Sequence, residues 1–300
     1  MKIDKAKICY ILSMLIFSTI GILRRNILLS SDFISFVRGL LGSICVVLFL
    51  FITKKKIDKD GVKSNLILLL TSGICIGLNW VFLFESYNYT SVATGTLCNY
   101  MCPIIVIILS PLILKEKLNL INVICVVVSL IGMVFVSGIL ETGFNDKNTL
   151  IGVCFGLISA FLYATVIFLN KKMKQVDSYS KTLIQLFSIA VVMFIYTMFN
   201  KGFPKEHLEL KVIILLIVIG VVYTGVAYVL YFTGIKDMKA QNIAILSIID
   251  PVFAVILSAI ILSEPLSILT IIGAVLILSS TVVSELAGIK KTNTLLKHIK

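Results

Sequence analysis

The sequence predicts an all-α integral membrane protein, with ten transmembrane helices arranged as two inverted five-helix repeats. Composition is the first reason. Of 300 residues, 59% are hydrophobic and 14% charged, against about 45–50% and about 25% in a soluble domain. Mean hydropathy is +1.08. Apolar runs of about 20 residues recur along the chain, each long enough to cross a bilayer as a helix. Lipid leaves only helices or a closed barrel, and these runs lack the alternation of barrel strands. Internal repetition is the second reason. At an offset of 148, Pro103 falls on Pro251, Ile108-Leu109-Ser110 on Ile256-Leu257-Ser258, Ile113-Leu114 on Ile261-Leu262, Glu116 on Glu264 and Leu118 on Leu266. The distribution of lysine and arginine is the third.

The spans fall near 7–23, 33–53, 65–87, 92–114 and 120–139, then near 150–170, 180–199, 211–233, 240–262 and 267–286. Lys2, Lys5 and Lys7 ahead of the first run imitate a secretory signal. No small-x-small cleavage site follows, so this run reads as the first helix. Connections are short, the longest being Lys54–Ser64, Gly138–Asn148, Lys171–Tyr179 and Asn200–Leu210. They leave no room for a separate soluble domain.

Basic residues favour the cytoplasmic side. With both termini cytoplasmic, about 20 of the 27 basic residues lie inside. Arg24, Arg25, Lys147, Lys201, Lys205 and Lys211 lie outside, and Arg38 sits within a span. Five spans per copy is an odd number, so the second copy has to insert upside down. Matched loops agree. Ser86–Ser91 has no lysine, whereas its counterpart Gly234–Lys239 has two; Lys115-Glu116-Lys117 has two, whereas Ser263-Glu264-Pro265 has none. The first spans align at a slightly shorter offset, Ser13–Asn26 on Ser159–Lys172. Residues 1–144 form one repeat and 145–300 the other. Arg24-Arg25 is the outside cluster that departs from the charge rule.

Inverted repeats mark transporters, with the binding site near the membrane midplane where broken helices of the two halves meet. Pro103 and Pro251 sit near the centres of spans 4 and 9. Each removes an N–H and frees a carbonyl one turn earlier, near Asn99 and Ser247. Those carbonyls can bind substrate or ion, or the prolines can be structural kinks. Asp250 is a carboxylate near the middle of span 9. At that depth it needs a cavity, a partner or a proton. It is the candidate proton-coupling residue or receiver of a cationic substrate group; as a structural acid it would bond neighbouring hydroxyls.

Arg38 in span 2 and Glu85 near the outer end of span 3 reach similar depth, making them candidates for an outer gate or a carboxylate clamp. Snorkelling of Arg38 to the headgroups is the rival reading. Asn79, Trp80, Asn99 and Tyr100 place amide and aromatic groups in spans 3 and 4; Tyr163, Gln185, Tyr223 and Tyr228 do so in spans 6, 7 and 8. They either line a cavity or hold helices together. The expected substrate site comprises Asn79, Trp80, Asn99, Tyr100, Pro103, Tyr163, Tyr228, Ser247, Asp250 and Pro251. Gly73-x-x-x-Gly77 and Gly152-x-x-x-Gly156 mark close helix packing. Tyr87 and Tyr89 read as interfacial aromatics.

On these residues the chain resembles the EamA-type permeases of the drug/metabolite transporter superfamily, over nearly its whole length. Each half there carries a helix of the type small-x-Pro, apolar run, Gly/Ser-Glu, followed by a helix with spaced glycines. Cys102-Pro103…Lys115-Glu116 with Gly132, and Asp250-Pro251…Ser263-Glu264 with Gly273, match that pattern. Asp250 and Arg38 match an acid and an arginine common in the family, while Glu85 stands where relatives have a small residue. The resemblance implies a basket-shaped bundle with a central cavity and alternating access, often exporting amino acids, other metabolites or drugs.

Other classes fit less well. The net charge of +12 lies in short loops, so nucleic acid is not an expected partner; a small-molecule substrate and the lipid bilayer are. Seven cysteines sit in or beside apolar runs without a C-x-x-C, and His207 and His298 lie in polar segments, so no metal or cofactor is expected. No G-x-x-x-x-G-K-[ST] occurs, so coupling has to come from a gradient. An intramembrane enzyme would need paired acids or a histidine at membrane depth. A metabolite importer of the same fold remains the alternative to an exporter. The expected assembly is a monomer or homodimer. A lysine- and isoleucine-rich composition fits a low-GC bacterium, which places the spans in the cell membrane.

Overall fold

Backbone groups that meet no water have to pair internally, and each apolar run does so as a helix. The computed structural model describes residues 5–115, 120–137, 139–142, 146–200, 203–204, 208–236, 238, 242–243 and 246–298. In the first half, α1 (Lys5–Ser18) and α2 (Ile20–Arg25) form span 1, α3 (Ser31–Ile52) span 2 and α4 (Lys59–Tyr89) span 3. Helices α5 (Val92–Asn99) and α6 (Cys102–Ile113) form span 4 and α7 (Leu120–Val136) span 5. A short α8 (Ile139–Thr142) follows. In the second half, α9 (Lys147–Lys172) and α10 (Ser178–Phe199) are spans 6 and 7. Helix α11 (Leu210–Gly220), a π-helical turn (Val221–Val226) and α12 (Ala227–Lys236) form span 8; α13 (Ile249–Ile261) and α14 (Ile268–His298) belong to spans 9 and 10. Among the described residues, seven stretches are long and apolar enough to cross a membrane, and three shorter apolar helices, Leu120–Val136, Ile249–Ile261 and Ile268–Ser284, complete ten. No strand occurs among the described residues. His207, Glu116, Lys117, Leu118, Lys239 and the boundary at 144/145 lie outside the described residues.

Small polar caps start the helices where the chain re-enters lipid. Asp58 accepts from Gly61 N, Ser91 from Thr94 N, Asp146 from Thr149 N, and Asp177 from Tyr179 N and Ser180 N. The internal repeat reappears at the helix ends. Leu114 N bonds to Ser110 O and Leu262 N to Ser258 O. The next residues, Lys115 and Ser263, take left-handed φ values of 56° and 54°. These positions are 148 apart, so both copies stop the same helix with the same turn.

Three features depart from the spans as read. Span 1 is interrupted at Thr19, where the Ser18 and Thr19 hydroxyls bond to Leu15 O and Ile16 O at 2.8 and 2.9 Å and compete with the helix ladder. Span 8 carries the π-helical turn. Span 3 also runs through Tyr89, which shortens the Ser86–Ser91 connection to Thr90 and Ser91.

The closest packing joins opposite halves: α1 with α12, α4 with α9, α3 with α10, and α7 with α14. The α7–α14 crossing is tight. A Cβ on Gly132 would lie 2.8 Å from Gly273 O, and the Ser129 and Ser280 hydroxyls hydrogen-bond across it. One apolar core surrounds Trp80, Phe84, Ile189, Met193 and Ile219; a second surrounds Leu97, Met101, Ile104 and Ile277.

Candidate functional site

A cavity of about 590 Å³ lies among the helices of both halves. Nine of the ten expected substrate residues line it: Asn79, Trp80, Asn99, Tyr100, Pro103, Tyr163, Tyr228, Ser247 and Asp250. Pro251 is buried behind the wall and does not. Toward the face where α1 starts, the lining reaches Ser178, Lys181 and Thr182 at the start of α10 and Ile235 near the end of α12. We call this the Lys5 face and the opposite one the Arg25 face.

The breaks in spans 4 and 9 form part of the wall. Without an N–H, Pro103 cannot bond back to Asn99; the chain turns at Tyr100-Met101, with Met101 N on Cys98 O at 3.0 Å, before α6 begins. Span 9 turns likewise at Ser247-Ile248 before α13. The two breaks touch. The Tyr100 hydroxyl donates to Asp250 Oδ2 at 2.7 Å. Asp250 therefore has a hydroxyl partner, on the matched break of the other half.

Beside this pair, Asn79 Nδ2 donates to Asn99 Oδ1 at 3.1 Å and to Ser159 O at 2.8 Å, and Ser159 Oγ also donates to Asn99 Oδ1 at 2.8 Å. This triangle ties α4, α5 and α9 together. Nearer the Lys5 face, Gln185 Nε2 donates to Ser72 Oγ at 2.7 Å and to Asn170 Oδ1 at 3.1 Å. Rings form much of the remaining wall, with Phe17 edge-on to Tyr228 and Tyr228 stacked on Phe232.

Arg38 and Glu85 are not partners. Arg38 is 4% exposed. Its Nε donates to Thr224 Oγ1 at 2.9 Å, and its guanidinium lies 3.7 Å over the Trp80 ring, at the cavity. Glu85 lies outside the lining and accepts from Asn88 Nδ2 at 3.0 Å, while Asn88 Oδ1 accepts from Arg24 Nη2 at 3.3 Å. Similar depth made them a candidate pair, but Arg38 turns to Thr224 and Trp80 and Glu85 to Asn88. Tyr87 departs from its reading as an interfacial aromatic. It is buried, and its hydroxyl pairs with that of Thr96 at 3.0 Å. Tyr89 is 39% exposed and packs on Phe155.

Sequence reasoning did not single out Thr224, Ser159 or Tyr10. The only signal for Thr224 was its place between Gly220 and Gly225, which pack against Leu41 and Cys45 of α3. It also missed the role of Arg24-Arg25. Arg24 is buried and bonds Ile27 O at 2.8 Å and Ser31 Oγ at 3.1 Å. Arg25 donates to Thr90 O at 2.8 Å and pairs with Glu264 Oε1 at 3.0 Å, the one ion pair among the described residues. Glu264 Oε2 also accepts from Val92 N at 2.8 Å and from the Ser258 hydroxyl. This latch joins span 1, the start of span 4 and the connection between spans 9 and 10. It lies five residues, about 7 Å of helix, beyond Ile20 of the cavity wall. A second hollow of about 350 Å³ on the Arg25 face is lined by Arg25, Glu264, Glu141 and Asp146. The Thr149 hydroxyl, and then its backbone N–H, hold the Asp146 carboxyl below its ordinary 3.8.

Ten helices in two inverted sets, closed around an internal cavity, define a multi-pass membrane transporter of the inverted-repeat kind. A model of the EamA-like transporter family matches residues 5–138 and again residues 150–285. The chain belongs to that family. It is 28% identical over 266 residues to "Uncharacterized transporter YxxF" of Bacillus subtilis (strain 168), covering 85% of this chain and 81% of that protein. An "Uncharacterized transporter" of Clostridium kluyveri is 26% identical, covering 77% and 75%. One from Archaeoglobus fulgidus is 25% identical, covering 91% and 94%. A solved crystal structure superposes with a TM-score of 0.65 at 13% identity, over 94% of this chain and 96% of that one.

Proposed function

We propose that this chain is a secondary active exporter of small metabolites, working by alternating access to a site between spans 4 and 9. One observation carries the reading. The cavity sits where the two proline breaks meet and reaches toward the Lys5 face, while Arg25 and Glu264 pair on the opposite face and are not part of its lining. The bias of lysine and arginine supports a cytoplasmic Lys5 face in the cell membrane, which makes this the inward-facing state. Residues 1–144 and 145–300 are the halves that rock. A gradient drives the cycle, and a membrane potential supplies roughly 2.3 kcal/mol per charge per 100 mV. Asp250, bonded to Tyr100 across the breaks, is the coupling residue.

The test is transport into and out of proteoliposomes for a panel of amino acids, nucleosides and organic cations at two pH values. Ligands are first found by melting-temperature shifts; a ligand at about 100 times its Kd stabilises by about 2.7 kcal/mol. We expect saturable transport by the wild type and loss of its pH dependence in Asp250→Asn. Transport whose pH dependence survives that substitution removes Asp250 from the coupling step. Ligand-independent leak, or no movement of any bound compound, removes the transport reading itself.

A further inference from the structure

The guanidinium of Arg38 offers donors that the described residues leave unoccupied. Its side chain is buried within α3. Its plane is fixed from two directions, by Trp80 beneath it at 3.7 Å and by Thr224 Oγ1 on Nε at 2.9 Å. Thr224 is itself presented by the π-helical turn, where its hydroxyl bonds Ile219 O at 3.2 Å, five residues back. Single π turns of this kind are frequent at functional sites. Held this way, Nε and one face of the guanidinium are satisfied. Nη1 and Nη2 have no hydrogen-bond partner among the described residues, and the residue borders the cavity. No described carboxylate pairs with it; Asp250 is engaged by Tyr100 and Glu264 by Arg25. A guanidinium stays protonated, and a buried charge without a counter-ion is costly.

We infer that Arg38 anchors a carboxylate on the transported molecule, so that the substrates are small carboxylate-bearing organic acids; this rests on the transporter reading above. Two parallel N–H donors match the two oxygens of a carboxylate. The wall argues against a compact dianion such as phosphate. Gly39 packs on Ile189 and Ala190, so Arg38 lies level with them. The other described cation bordering the cavity, Lys181, is eight residues away on α10, about 12 Å along the axis. One head group cannot reach both, and a single guanidinium balances a single negative charge. Beyond Arg38 the rings of Tyr163, Tyr228 and Phe232 suit an apolar body, and 590 Å³ is within the usual size of small-molecule sites, about 300–1,000 Å³.

Trp80 provides the test, because it is the only tryptophan of the chain and lies under the guanidinium. Wild-type protein in detergent is titrated with 3-phenylpropanoate and hexanoate, with the neutral 3-phenylpropanamide, with 3-phenylpropylamine and with inorganic phosphate, reading tryptophan emission. Saturable changes are expected with the two carboxylates and not with the other three. Arg38→Gln should weaken carboxylate binding about 100-fold; Arg38→Lys, which keeps the charge but not the fork, should weaken it about 10-fold. No response to either carboxylate, an equal response to the amide, or a Kd unchanged in Arg38→Gln overturns the proposal. Phosphate alone giving the response replaces the carboxylate with a phosphoryl group. The wild-type titration decides the matter even if a variant does not fold. A carboxylate that binds but does not cross a proteoliposome membrane leaves the Arg38 site standing and removes the transport reading. An amine that is transported while no carboxylate binds does the opposite.

Discussion

Asn79 holds three helices with one amide. Its Nδ2 bonds Asn99 Oδ1 and the Ser159 carbonyl together, and the Asn79 side chain is itself buried. Replacing it with leucine removes both bonds and leaves Asn99 Oδ1 with Ser159 Oγ alone. A buried group left unpaired costs about 1–3 kcal/mol, so Asn79→Leu should lower the melting temperature in detergent, and Ser159→Ala should lower it less. A variant as stable as wild type would show that the triangle contributes nothing. Asn79, Asn99 and Asp250 were visible in the sequence because polar groups inside apolar runs stand out. Thr224 was not. Hydroxyls in apolar helices mostly bond their own backbone, as Ser13 does to Tyr10 O and Ser35 to Ser31 O, so a threonine says nothing until its azimuth is known. The Arg38–Glu85 reading failed for the same reason, since sequence gives depth along a helix but not which neighbour the side chain faces.

Packing of whole helices separates two glycines that look alike in sequence. A Cβ on Gly73 would lie 2.7 Å from the Gln185 carbonyl oxygen of α10, which cannot move without displacing the helix. On Gly77 the nearest atom would be the terminal methyl of Met193 at 3.1 Å, the far end of a flexible side chain. Gly73→Ala should therefore destabilise the protein by about 1–3 kcal/mol and Gly77→Ala by clearly less, read as melting temperatures. Equal losses would mean that α4 and α10 adjust as a unit. Hydropathy made the ten spans legible, and Pro103 and Pro251 marked where two of them break. The interruption at Thr19 and the π turn at Val221–Val226 carry no proline. Hydroxyl back-bonding accompanies the first, and close packing of Gly220 and Gly225 on α3 the second. Neither changes the hydropathy of its span, so neither could be read from it.

On the proposed alternating-access cycle, the Arg25–Glu264 latch sets which of the two faces is closed. Arg25 and Glu264 have side chains 36% and 12% exposed, and an ion pair this open to water is worth about 1 kcal/mol at most. That is enough to move a two-state balance by up to about fivefold without unfolding either state. Asn99→Cys in a cysteine-free background reports the balance from the middle of the cavity. Its labelling by a membrane-impermeant thiol reagent added at the Arg25 face should rise up to about fivefold in Arg25→Ala, while labelling from the Lys5 face falls. Glu264→Gln should move the balance further, because Glu264 also receives Val92 N and the Ser258 hydroxyl. The inverted repeat adds a condition of opposite sign. In the sequence alignment of the halves, Lys171 takes the place of Arg25 and Glu116 the place of Glu264. If the halves exchange roles as the site alternates, Lys171→Gln should raise labelling from the Lys5 face and lower it from the Arg25 face. Both substitutions moving the balance the same way would leave Arg25–Glu264 as a local brace and sever it from the cycle.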